Sequence, residues 1–557
     1  MQGNNIPDSR GSNYFRMDPY SESLLRTYLK PDLFAHLLPV FDRLGQQIGD
    51  SLDELADIAD KNPPVLTVRK RNGTDGDRIH KHPAYIELEK VAYAQLGLAA
   101  MSHRKGVLGW NDTFPPAAKY ALSHLFVQAE FGLCCPVSMT DSLARTLKKY
   151  GDPELVEQVL PQVASQDFDQ LQQGAMFMTE QAAGSDVSAT QTLATLVEDG
   201  SWRLSGDKWF CSNPDAGFAM VLARSEEAEG LKGVSLFLLP KIKPDGTPNH
   251  YRLLRLKDKL GTRSMASGEI RLEGAFAWLV GERGRGFQQM ADMINNSRLS
   301  NGMRAAGLMR RAVSEAIYFS QHRTAFGKRL IEMPLMQRQL VKMIMRAEQG
   351  RSVMFQTAQA LERADNGEQE GKSLVRILTP LIKFRACRDA RTVTGDAMEV
   401  RGGCGYIEEW TEPRLLRDAH LGSIWEGTSN IVALDVLRAI QKSDGLAALK
   451  RQTQYLLENG MPCKASLRDL QTRCIENAFA LAARAAGNNT PEKARQVGTA
   501  LYNLISMAAM RWEAEKTGME SRNLLADQVL LHRLASKDPL AEKSFCEENA
   551  AILAYAL

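Results

Sequence analysis

The sequence predicts a mainly α-helical protein interrupted by one central β domain, and three observations carry that reading. Over residues 1–172 apolar residues recur three and four apart, the spacing of one buried helix face. Between 173 and 284 the pattern shortens to alternating or wholly apolar runs divided by turn signals. From residue 285 onward the helical spacing returns and persists to the end of the 557-residue chain.

The elements follow in order. "SESLLRTYLK" and "PDLFAHLLPVFDRLGQQIGDSLDELADIAD" are amphipathic helical stretches, and Tyr150-Gly151-Asp152-Pro153 marks a helix break. The polar, glycine-rich "KRNGTDGDR" reads as a break before the helical "HPAYIELEKVAYAQLGLAAM". The β domain shows "WRLSGDKWFCS", "FAMVLAR", "GVSLFLLP" and "EIRLEGAFAWLV", with turns at Glu198-Asp199-Gly200 and Pro244-Asp245-Gly246. Long helices are predicted over 286–322, 334–364, 373–400 and 429–441, and their short connections imply an antiparallel bundle. Beyond it lies a further helical segment with Ala-rich stretches such as "NAFALAARAAG". The expected domains are 1–172, 173–284, 285–441 and 442–557.

Composition removes several function classes. A formal net charge of +3 creates no overall field for nucleic acid. Eight cysteines, none spaced Cys-x-x-Cys, make no disulfide framework, so a reduced, cytoplasmic setting is expected. "MQGNNIPDSRGSNYF" has no apolar signal-type core, and runs such as "GVSLFLLP" are too short to insert into a membrane. His80 and His82 lack further ligands, so no metal site is expected.

The glycine clusters are weak signals alone. "RGGCGY" (401–406) and "GERGRGF" (281–287) do not have the spacing of a dinucleotide fingerprint, and no phosphate-loop motif occurs. Helix termination and tight packing explain them equally well. "MTEQAAGSDVSAT" (178–190) offers hydroxyls and backbone donors at the entry to the β domain. "SIWEGTSN" (423–430) places Glu426 between an apolar pair and a helix start. That carboxylate could serve a helix terminus or act as a base held away from water.

Taken together, these stretches resemble the acyl-CoA dehydrogenase flavoproteins. Six segments in order carry the resemblance: "MTEQAAGSDV", "GDKWFCSN", "KLGTRSMASGEIRLEGA", "HRTAFGK", "AMEVRGGCGYIEE" and "IWEGTSNI". "DIADKNPPVL", "RIHKHPAY", "LCCPVSMT", Trp425 and the extra C-terminal segment are similar to the adaptive-response, AidB-like branch. The fold implied is an N-terminal helical domain, a β-barrel-like middle domain and a C-terminal helical bundle, usually in a homotetramer with FAD at a subunit interface.

The resemblance implies removal of an α-proton by a carboxylate while a hydride passes from the β carbon to flavin N5. Glu426 matches the family base, and a base for this weakly acidic proton needs desolvation. Thr428 or Ser429 can cap the following helix. Ser297 stands where some relatives place their base and is not acidic. Glu408, Glu409 and Glu412 read as a solvated loop cluster.

Flavin contacts are implied for Met178, Thr179, Gly184 and Ser185, with Phe210 on the ring, Cys211 beside it and Ser212 near N5. Arg323 would reach the pyrophosphate from a neighbouring subunit, with Phe326 nearby. Gln337, Glu399, Gly402 and Gly403 would line the dinucleotide channel, and Thr428 and Asn430 the adenosine side. Glu399 could bond a ribose or pair with Arg401. Ser185 and Arg298 match positions near CoA or the acyl group, although a helical arginine also pairs readily with a neighbour such as Asp292.

The implied partners are acyl-CoA and an electron-transfer flavoprotein. The branch also brings a second function, double-stranded DNA binding through 442–557 in protection against alkylation, and a third, acyl-CoA sensing without turnover. Residues 441–557 hold 15 Lys and Arg against 13 Asp and Glu, no strong excess. A basic stripe would need Lys450, Arg451, Arg468, Arg473, Arg495, Arg511, Arg522 and Arg533 on one face.

Overall fold

The structure is a computed structural model and describes residues 5–537, 540 and 544–556. Up to the β domain its helices are α1 (Ser21–Tyr28), α2 (Pro31–Gln47), α3 (Asp53–Lys61), α4 (Pro83–Glu89), α5 (Pro116–Phe126), α6 (Cys134–Tyr150) and α7 (Pro153–Val163). A hairpin, β1 (Val65–Arg69) and β2 (Asp75–His80), lies between α3 and α4. The middle strands are β3 (Gly174–Phe177), β4 (Leu193–Leu196), β5 (Trp202–Ser212), β6 (Phe218–Arg224), β7 (Val234–Pro240), β8 (Tyr251–Leu256) and β9 (Ser267–Val280). Helix α8 (Gly286–His322) leads through a small hairpin, β10 (Thr324–Ala325) and β11 (Lys328–Arg329), to α9 (Pro334–Asp365) and α10 (Gln369–Arg401). Then come α11 (Gly403–Tyr406), α12 (Thr411–Gly422), α13 (Ser429–Lys442), α14 (Gly445–Glu458), α15 (Arg468–Gly487), α16 (Ala494–Thr517), α17 (Glu520–Val529) and α18 (Cys546–Ala556). The chain forms two compact units, residues 54–114 with 130–297, and residues 1–53 with 115–129 and 298–557.

The first unit is built on the middle strands. Strands β6, β4, β5, β9 and β7 pair in succession, and β7 pairs back with β6, so the sheet closes. Closure removes the exposed edges of those strands, and this is the barrel the resemblance implies. β7 is buried along its whole length and apolar save for Ser235, and β6 is apolar and buried up to Arg224. β5 alternates, which leaves one face outside. Phe177, Trp202, Leu204, Val221, Phe237 and Ile270 fill the interior.

"KRNGTDGDR" does separate α3 from α4, but as part of a hairpin: it is the β1–β2 turn together with the first four residues of β2. The hairpin sets Leu66 and Ile79 against the barrel core, and Asp77 accepts from the Leu253 N–H at 2.7 Å. With so few buried residues per strand, the alternation that announces a strand is nearly absent.

The second unit is helical. Helices α8, α9 and α10 run 37, 32 and 33 residues, close to the predicted spans. Small residues let them approach. A Cβ on Gly302 would lie 2.8 Å from Ile382, and one on Gly350 would lie 3.0 Å from Met309. The long apolar run of α16 is buried nearly all round, so the C-terminal helices share the core of this unit.

Buried charges stitch the second unit together. Arg522 donates to Glu348 at 2.7 Å and also bonds Glu513, and all three are fully buried. Glu513 accepts from the Tyr28 hydroxyl of α1 at 2.7 Å, and Arg351 bridges Glu348 and Asp18. Breaking one partner of such a set leaves an uncompensated buried charge.

Candidate active site

The barrel unit carries one group of expected site residues. Behind Met178 and Thr179 sits Glu180, buried and held by Lys208 Nζ at 2.6 Å, Thr192 Oγ1 at 2.6 Å and the Gln191 N–H at 2.6 Å. Burial works to raise the Glu180 pKa, but the Lys208 charge and these hydrogen bonds hold it below the usual carboxylate value. Burial lowers the Lys208 amine. The Trp209 N–H donates to the Thr179 carbonyl at 2.8 Å, which fixes the 178–190 loop against β5.

In β5 the register with β9 is irregular between Lys208 and Cys211, where Trp209 and Phe210 stand. Such an irregularity re-aims side chains. Phe210 is 56% exposed. Cys211 points the opposite way, into the barrel core, so only its backbone is available to a ligand. Ser212 follows, paired with Ser267. Gly184 and Ser185 are exposed, and a Cβ on Gly184 would meet nothing within 4 Å.

The helical unit carries the others. Arg323 begins the β10–β11 hairpin, whose tip is Phe326 at φ +51° and Gly327 at φ +76°. Two residues of positive φ suit a tight hairpin, but a phenylalanine there is strained. Phe326 is 97% exposed. Among the described residues the Arg323 guanidinium has no ion-pair or hydrogen-bond partner. Gln337 donates to the Ile331 carbonyl at 3.0 Å, which ties α9 to the segment before it.

Arg401 does not pair with Glu399. It turns inward to Glu412 and to Glu315 at 2.8 Å, while Glu399 accepts from Gln339 at 3.3 Å. Glu412 is therefore not part of a solvated cluster: it is buried, and burial first, then the Glu315 charge, push its pKa up to about 7. Glu408 does lie outside, paired with Arg417. Gly402 ends α10 at φ +70°, and a Cβ on Gly402 or Gly403 would meet open space.

Glu426 lies three residues before the start of α13, outside the helix. Its φ is +55° and that of Gly427 is +100°. A left-handed non-glycine residue costs about 1–2 kcal/mol, so the turn is held against strain. The Glu426 side chain is 8% exposed, with Arg304 Nη2 3.9 Å from Oε1. Arg304 is itself fully buried, its guanidinium 4.7 Å above the Trp425 ring.

Arg298 does not pair with Asp292, which bonds Lys149 and Tyr150. Instead Arg298 donates to the Glu426 carbonyl at 3.0 Å and to Asp435 at 2.9 Å, and Arg376 grips Asp435 from the side at 2.7 and 3.1 Å. Lys383 of α10 donates to the Gly427 carbonyl. Thr428 occupies the N-cap position of α13 without a side-chain cap bond, and Ser429 Oγ is 3.4 Å from Arg388. Asn430 is exposed at the helix start.

Arg304, Lys383, Arg376 and Asp435 were not singled out from sequence. Each is one of several charged residues on its helix with nothing in the pattern to mark it, and only the fold gathers them around residues 426–427. The proposed basic stripe also changes: Arg511 and Arg522 are buried in ion pairs, Arg451 pairs with Glu370 and Asp444, and Arg533 with Asp389. Among the described residues no His, Cys, Asp and Glu cluster could hold a metal ion, and no helix is long and apolar enough to cross a membrane.

Comparison with known proteins accounts for this arrangement. Residues 4–170 match the adaptive response protein AidB N-terminal domain, 175–275 the acyl-CoA dehydrogenase middle domain and 284–441 the acyl-CoA dehydrogenase C-terminal domain. The chain is 36% identical to the putative acyl-CoA dehydrogenase AidB of Escherichia coli over 416 residues, 72% of this chain and 74% of that protein. It is 30% identical to acyl-CoA dehydrogenase family member 11 of Caenorhabditis elegans over 463 residues, 80% of this chain and 74% of that one. The solved structure of Caenorhabditis elegans ACDH-11 in complex with C11-CoA superposes with a TM-score of 0.88 at 27% identity, covering 98% of this chain and 94% of that one. The chain therefore belongs to the acyl-CoA dehydrogenase family of FAD-dependent flavoproteins, in its AidB-like branch.

Proposed function

We propose that the protein is an acyl-CoA dehydrogenase in which Glu426 removes the α-proton of the substrate. The observation that carries this reading is the strained, braced turn at Glu426, whose carboxylate is almost wholly withdrawn from water beside Arg304. A carboxylate carried on a fixed turn has a set direction of attack on an acyl α-carbon.

The residues fit a flavin dinucleotide. In the barrel unit Phe210 presents an exposed aromatic face and Gly184 leaves open space where a Cβ would stand; in the helical unit, taken by itself, Gly402 and Gly403 leave the same space. Arg323 supplies a free cation for a pyrophosphate. When bound, FAD supplies the acceptor for the two electrons that leave with the β hydrogen. The exposed Phe326 at a strained hairpin tip supports a cofactor site completed by a second copy of the chain, within a homotetramer. A fatty acyl-CoA is the substrate class, and C11-CoA, the ligand of the Caenorhabditis elegans relative, is the first compound to try. An electron-transfer flavoprotein is the proposed oxidant of the reduced enzyme.

The test is an anaerobic absorbance titration of the purified holoprotein with short, branched and long acyl-CoAs. Bleaching of the flavin band by one of them supports the reading. A band that no acyl-CoA bleaches overturns it.

One observation favours a second reading, binding of double-stranded DNA. Arg388 of α10 stands near Arg385 and Arg391 of the same helix and Arg495 of α16, and burial followed by these like charges lowers its pKa, while Asp389, paired with Arg385, opposes the fall. Such a group gains from a polyanion, and binding would weaken steeply with salt.

A further inference from the structure

We infer that Lys383 is a positioning residue, which together with Arg298 clamps the two consecutive carbonyls of Glu426 and Gly427 and so fixes the direction of the Glu426 carboxylate. This rests on the reading of Glu426 as the base. The geometry is specific. Arg298 from α8 reaches the Glu426 carbonyl, and Lys383 from α10 reaches the next carbonyl along the chain. The two cations approach from different helices and meet at one left-handed turn. Arg298 is oriented by Asp435, which Arg376 steadies in turn. Lys383 is 1% exposed and lies deep in the bundle.

A buried amine needs a reason to be charged, and its surroundings are mixed. Cys387 is on its own helix, Glu426 is on the turn, and Arg298 and Arg304 face it from α8. Burial first, and then the two arginines, lower its pKa to about 8, while Cys387 and Glu426 oppose the fall. The amine is therefore charged at neutral pH and loses its proton as pH rises through about 8. With the charge goes the stronger form of its hydrogen bond to the Gly427 carbonyl.

The experiment is hydrogen exchange of peptides covering 421–432 in the full-length holoprotein, corrected for intrinsic rates. Lys383→Met should exchange roughly tenfold faster there, the factor expected from one lost charge-assisted bond. Lys383→Arg should restore protection. In the wild type, protection of this segment should fall between pH 7 and pH 9. Unchanged exchange in Lys383→Met overturns the inference. If that variant does not fold, Lys383→Gln, which keeps a donor without the charge, is read in its place, and unchanged exchange in it overturns the inference equally. The readout needs no turnover, so it separates the two claims. A segment that responds while no acyl-CoA bleaches the flavin leaves the clamp standing and removes the dehydrogenase. Where turnover is present, Lys383→Met should lower kcat with KM little changed, and Lys383→Arg should recover it.

Discussion

Arg401 and Glu412 form a buried ion pair at the point where α10 gives way to the Gly402–Gly403 turn. The same guanidinium holds Glu315, so two carboxylates compete for one cation. Because the folded pKa of Glu412 is raised, its favourable contribution is complete below its ordinary value of 4.5 and is lost as pH rises through about 7. Glu412→Gln keeps an acceptor for Arg401 and removes that loss. Thermal unfolding from pH 5 to pH 8 should show a flatter profile in the variant, with its relative gain at pH 8. Parallel profiles would show that Glu412 does not titrate in this range.

Glu426→Gln should retain bound flavin and the native fold, since the carbonyl contacts of residue 426 are unchanged. Reduction by acyl-CoA should fall at least roughly hundredfold, the usual scale for a lost general base. Stopped-flow bleaching measures it, and retained reduction would remove the base assignment.

Arg323→Ala should lower flavin content and weaken self-association, while the monomer's unfolding curve stays put, because the guanidinium makes no bond within the described chain. Flavin-to-protein absorbance and sedimentation read the two effects. Full occupancy in the variant would count against a cofactor site shared between copies.

Lys208→Met leaves the Glu180 carboxylate buried without its counter-charge. A loss of about 3 kcal/mol is the expected scale. Denaturant unfolding should show it, and flavin should be released at lower denaturant than in the wild type. A loss under about 1 kcal/mol would place the pair among weak surface-like bridges.

Long periodic elements were legible in the sequence because each helix buries a wide stripe. The predicted 286–322 coincides with α8, and 334–364 falls one residue short of α9. β6 and β7 were legible as apolar runs between turns. The β1–β2 hairpin was not, since nearly all its side chains face water and the turn chemistry dominates its composition. Glu412 was misread for another reason. Its neighbours in sequence are exposed, and its burial depends on Arg401 and Glu315, partners that local pattern cannot supply. Glu426 stood out through its motif, whereas Lys383 and Arg298 act through backbone carbonyls, which leave no trace in residue type.

The burial of Arg522 between Glu348 and Glu513 bears on how such a chain can change over generations. α17 and α16 supply one cation and one anion to a charge set whose other members sit on α8, on α9 and near the start of the chain. Loss of the last helices would take Arg522 and Glu513 away together and leave Glu348 to Arg351 and Arg310. Loss of Arg522 alone would instead leave Glu513 buried without a cation among the described residues, so variation at residue 522 is constrained by residue 513.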